Sequence, residues 1–81
     1  MRVTVKLFAG LRERAGAAER ELELPDGAVV EDVWGALGLD GEPNGLLYAV
    51  NRQYADRDRP LADGDEVALI PPVSPAEAVI V

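Results

Sequence analysis

Glu19-Arg20-Glu21-Leu22-Glu23-Leu24, then Pro25-Asp26-Gly27, then Val29-Val30-Glu31-Asp32-Val33-Trp34-Gly35-Ala36-Leu37: within this stretch the chain changes its hydrophobic period. Leu22 and Leu24 alternate with Glu19, Glu21 and Glu23, as in a strand with one face in a core and one in water. Pro25-Asp26-Gly27 is turn chemistry and stops that strand. Val30, Val33, Trp34 and Leu37 then fall at i, i+3, i+4 and i+7, a single helical stripe, with Glu31 and Asp32 in its first turn and Gly38 where a helix would end. The reading is a strand over 19–24 and a helix over about 30–37, with Trp34 in the core.

Working outward, Val3, Val5 and Leu7 alternate with Arg2, Thr4 and Lys6, which predicts a first strand over 2–8. Residues 11–16, closed by Gly16, read as a turn or a brief helical segment joining the first two strands as a hairpin. Residues 39–45 are a loop by composition, 46–50 a third strand and 66–70 the last. Around Tyr54 the polar stretch before Pro60 holds at most a short edge strand. Strand, strand, helix, strand, short strand, strand is not the alternation of a doubly wound sheet. It fits an α+β domain, a mixed sheet of four to five strands with one main helix across it. First and last strands paired at its centre would run parallel.

Composition narrows the chemistry. The 81 residues contain no cysteine and no histidine, which removes disulfides, thiolate metal sites and the side chain that titrates near neutrality. No catalytic residue, cofactor site or metal site is expected. Fifteen acidic against eight basic residues give a net charge of −7, the wrong sign for nucleic acid or an anionic membrane. Basic protein surfaces are the expected partners. The start reads as a strand and not as a signal peptide, and a cytoplasmic location is expected.

Specific residues also match a family. Phe8-Ala9-Gly10-Leu11-Arg12-Glu13-Arg14-Ala15-Gly16, Ala49-Val50-Asn51 and Pro60-Leu61-Ala62-Asp63-Gly64-Asp65-Glu66-Val67-Ala68-Leu69-Ile70-Pro71-Pro72-Val73-Ser74 follow, in order, the pattern of the MoaD-type small subunits of molybdopterin synthase. The chain resembles that sulfur-carrier family, related to ThiS, over residues 1–74. The resemblance implies a ubiquitin-like β-grasp fold and a MoaE-like large subunit as partner. It also implies an E1-like adenylating enzyme of the MoeB type, which activates a terminal Gly-Gly carboxylate for conversion to a thiocarboxylate. On the same ground Phe8, Arg12, Leu61, Ile70, Pro71, Pro72, Val73 and Ser74 are expected to face the partner.

The motifs have structural readings of their own. Asp63-Gly64-Asp65 is first a turn, without the spacing of a calcium loop. Asn51 at a strand end is expected to satisfy local backbone groups, with a partner contact as the alternative. Arg52, Arg57 and Arg59 are interleaved with Asp56 and Asp58 and read as a solvated surface. Core packing competes with partner contact for Phe8 and Ile70. Pro71-Pro72 cannot continue a ladder, so the chain leaves the sheet there.

The departure from the family follows Ser74. Where the pattern calls for Gly-Gly, this chain has Pro75-Ala76, followed by Glu77-Ala78-Val79-Ile80-Val81. Residues 75–81 are therefore read as a divergent tail on a domain spanning 1–74, and the chain as written is not expected to donate sulfur. A partner-binding paralogue, the MoaD-like part of a longer MoaD–MoaE arrangement, and a carrier accepting an unusual processed terminus all remain open. From a different class, a β-grasp binding or regulatory module without sulfur chemistry fits the apolar, β-prone residues 78–81.

Overall fold

The computed structural model of the chain describes residues 1–39, 41–42 and 44–71. Its elements are β1 (Arg2–Leu7), α1 (Gly10–Ala15), β2 (Glu19–Glu23), α2 (Asp32–Ala36), β3 (Leu47–Val50), β4 (Gln53–Ala55) and β5 (Glu66–Ile70). They build a mixed five-stranded sheet in the order β2-β1-β5-β3-β4. β1 and β5 run parallel at the centre, from Thr4 opposite Glu66 to Leu7 opposite Leu69. The other pairs are antiparallel, including the β1–β2 and β3–β4 hairpins.

The alternation in β1 and β5 sends Val3, Val5, Leu7, Val67 and Leu69 to one side, all buried. Leu11 of α1 and the Val30, Val33, Trp34 and Leu37 stripe cover that side and close a single apolar core. Trp34 lies there at 7% exposure. The Arg14 guanidinium stacks 5.3 Å from its ring centroid.

The expected helix over 30–37 contracts to Asp32–Ala36. Its first stripe residues are committed elsewhere: Val29 bridges Pro60, and the Val30 and Glu31 amides donate to the Arg59 and Arg57 carbonyls, each at 3.0 Å. Asp32 accepts the Val29 amide at 2.8 Å, and Gly38, at φ 74°, ends the segment. Periodicity had reported burial, which all four residues share, and not helical hydrogen bonding. α1, a helix of six residues beside the five of α2, is the brief helical segment expected between the first two strands. Neither is long enough to persist alone, and packing on the sheet holds both.

Asp63-Gly64-Asp65 is the expected turn. Asp63 accepts the Arg2 amide and Asp65 the Ala62 amide, both at 2.8 Å, while Gly64 takes φ 87°. The proposed domain boundary at 74/75 lies outside the described residues. Among those described, no helix is long and apolar enough to cross a membrane.

Candidate functional site

The same alternation that fills the core sets a second row of side chains on the opposite face of the sheet. Register places Leu47 opposite Ile70, and Ala49 opposite both Ala68 and Tyr54. Phe8 follows β1 on this side. Here the strands leave apolar side chains in solvent: Phe8, Leu47 and Tyr54 are 40%, 47% and 75% exposed, the exposed large hydrophobics among the described residues. The small side chains of Ala49 and Ala68 form a floor, and Phe8, Ile70, Tyr54 and Arg52 rise around it. The depression has a volume of about 460 Å³. An open face of an antiparallel pair is ordinarily polar, and the contiguous apolar surface here makes this face the candidate site.

Two turns shape the rim. Ala9 adopts φ 50°, ψ −131°, unusual for a residue with a Cβ, and swings the chain from β1 into α1 directly after Phe8. At the other side Asn51 and Arg52, at φ 50° and 71°, make the two-residue link between β3 and β4. Positive φ at both central positions is the type I′ geometry that matches strand twist. Asn51 fixes this hairpin to β5: its amide nitrogen donates to Asp65 at 3.0 Å, and its side-chain oxygen accepts the Glu66 amide at 3.1 Å.

Of the residues expected to face a partner, Phe8 and Ile70 lie on this face. Arg12 is exposed on α1. Leu61 is placed differently: it is 8% exposed within the core, and its amide donates to the Ala28 carbonyl at 3.0 Å. Its side chain packs inward because residues 59–61 pair with the segment leading into α2. Pro71, half-buried, is the last residue described, and Pro72, Val73 and Ser74 lie outside the described residues. Leu47, Ala49, Arg52, Tyr54 and Ala68 also belong to this face, beyond the residues expected from the family pattern. The signal was present in Leu46-Leu47-Tyr48-Ala49-Val50 and Val67-Ala68-Leu69-Ile70, continuous apolar runs where a strand with one wet face would alternate.

The rest of the sheet face is charged: Arg2 bonds Glu23 at 2.8 Å, and Lys6, beside Ala68 in register, pairs with Glu66 at 3.2 Å. Arg57 does not pair with its neighbours Asp56 and Asp58. It bonds Glu42 at 2.6 Å and Glu31 at 3.5 Å and lies over the Tyr48 ring. The buried Tyr48 hydroxyl donates to the other Glu42 oxygen. This hydroxyl, then Arg57, holds the Glu42 carboxyl below the usual carboxylate range. A lowered folded-state value contributes stability above the unfolded value that is lost as pH falls through the folded one. Tyr48→Phe should therefore lower unfolding stability by about 1–2 kcal/mol at neutral pH. The gap to wild type should narrow in acid; denaturant melts at several pH values check this, and a pH-independent gap would contradict it. Among the described residues no cluster of three acidic groups has metal-binding geometry.

Comparison with known proteins agrees with this architecture. The ThiS family model matches residues 5–75. The molybdopterin synthase sulfur carrier subunit of Chlamydomonas reinhardtii is 40% identical, over 91% of this chain and 98% of its own length. That of Escherichia coli strain K12 is 38% identical, over 89% and 96%. Among solved structures, SAMP1 from Haloferax volcanii superposes with a TM-score of 0.78 at 33% identity, covering 91% of this chain and 98% of that one. A chain in the complex of subunits 1 and 2 of molybdopterin-converting factor from Helicobacter pylori 26695 is also similar, with a TM-score of 0.64 at 25% identity, over 91% and 97%. On its match to the family model and its identity to these carriers, the chain belongs to the ThiS family, as a protein of the MoaD/ThiS type with a ubiquitin-like β-grasp fold.

Proposed function

We propose that the chain is the small subunit of a molybdopterin synthase-type complex, acting in the cytoplasm, and that its apolar sheet face receives a MoaE-like large subunit. One observation carries the proposal: β5 ends at Ile70, on the rim of the exposed apolar face, so a partner seated there lies beside the last described residues, Ile70 and Pro71. Phe8, Tyr54 and Ile70 around a small-residue floor supply apolar anchors of the kind that dominate interface energies. The similarity to one component of a two-subunit converting factor supports the same reading. In this role the chain is a carrier scaffold and the large subunit supplies the reaction site. An E1-like enzyme of the MoeB type would act on it where a diglycine follows Ser74.

A second reading, a β-grasp binding module without sulfur chemistry, is favoured by Pro75-Ala76 in the diglycine positions. It uses the same face and differs at the tail.

Ile70→Asp tests the docking. Ile70 is half-buried and faces away from the core, so the variant should fold. It should also lose roughly a hundredfold or more in affinity for the large subunit, the scale of a central hot spot. Calorimetric titration beside circular dichroism measures both. A folded variant that binds like wild type would refute the proposal.

A further inference from the structure

We propose that Arg52 is a specificity-determining residue of this face, receiving a carboxylate of the docked large subunit at the rim of the apolar depression. The inference rests on the docking reading above and adds the chemistry of the partner's contact. Arg52 lines the depression beside Tyr54 and Ile70. It occupies the second turn position at φ 71°, where glycine is the unstrained choice and a side chain is carried at a conformational cost. Strain at a residue on a binding rim is the kind of outlier that points to function.

The guanidinium has no ion pair or hydrogen bond among the described residues, whereas Arg2, Lys6 and Arg57 each hold a carboxylate. Its root is fixed, because Asn51 next to it is tied through its side chain to Asp65 and Glu66. An exposed arginine on a rigid root presents a planar fork suited to a carboxylate. The chain carries a net charge of −7, so most of a matching partner surface should be basic. A carboxylate opposite Arg52 breaks that pattern at one point, which sets the register of docking and excludes uniformly basic surfaces.

Arg52→Gly separates this role from a structural one, since it removes the charge and relaxes the turn together. Wild type, Arg52→Gly and Arg52→Glu are each titrated with the MoaE-type large subunit of the same organism at low and high salt, and each free chain is melted. Arg52→Gly should melt at a higher temperature than wild type yet bind roughly tenfold more weakly at low salt, the scale of one charge-assisted hydrogen bond. The difference should shrink at high salt, and Arg52→Glu should bind more weakly still. If Arg52→Gly binds as wild type does while Ile70→Asp does not bind, the Arg52 contact is overturned and the docking face stands. Failure of wild type to bind overturns both. Weakened binding by Arg52→Gly with a lowered melting temperature, or self-association of the free chain that depends on Arg52, also overturns the contact.

Discussion

A chain cut after Ser74 and extended by Gly-Gly is expected to become thiocarboxylated by an E1-like activator of the MoeB type and a sulfur donor, while the chain carrying Pro75-Ala76 stays unmodified. The expectation joins two features. Residues 1–74 keep the family pattern, and the family model ends its match at residue 75. Activation requires a carboxylate to be threaded to the adenylating site, and glycine offers the least steric resistance and the widest backbone freedom. Proline fixes φ and removes a donor at the first of those two positions, and alanine adds a Cβ at the second. Intact-mass spectrometry reads the exchange of one oxygen for sulfur in both forms. Equal modification would show that the tail is no barrier, and failure of both would place the divergence in the scaffold.

Trp34→Ala should lower unfolding stability by roughly 3–5 kcal/mol, the range for deleting a buried aromatic side chain. The indole sits at 7% exposure among Val30, Val33 and Leu37, under the Arg14 guanidinium. A helix of five residues has no stability of its own to absorb the loss. A domain of this length has in total roughly 4–12 kcal/mol to lose, so the variant should stand near the edge of unfolding. The expected fall in melting temperature is roughly 12–40 °C. A shift of only a few degrees would mean that α2 is not what closes the core.

The core and the apolar sheet face differ in how far the sequence reveals them. Val3, Val5, Leu7 and the Val30–Leu37 stripe were legible because one side of each element is core and the other water, and that contrast is written as a period. β5 coincides with its expected bounds without that alternation, as a short apolar run bracketed by the Asp63-Gly64-Asp65 turn and Pro71. The helix boundary was not legible: what shortens α2 is the pairing of Val29, Val30 and Glu31 with residues 57–60, a long-range commitment that no local pattern records. Leu61 illustrates the same limit, since an apolar residue in a family motif reads alike whether it anchors a partner or fills the core. Conversely, Ala49 and Ala68 carry no conspicuous chemistry. Their place as the floor of the apolar face exists only once β3 and β5 are laid side by side.

The docking face is tested most directly by amide chemical-shift mapping of the labelled chain on addition of the unlabelled MoaE-type large subunit. Shift changes should concentrate at Phe8, Leu47, Ala49, Arg52, Tyr54, Ala68 and Ile70, leaving Asp32–Ala36 and β2 close to their free positions. Changes centred on α2 and the Trp34 side of the molecule, with the apolar sheet face unperturbed, would contradict it.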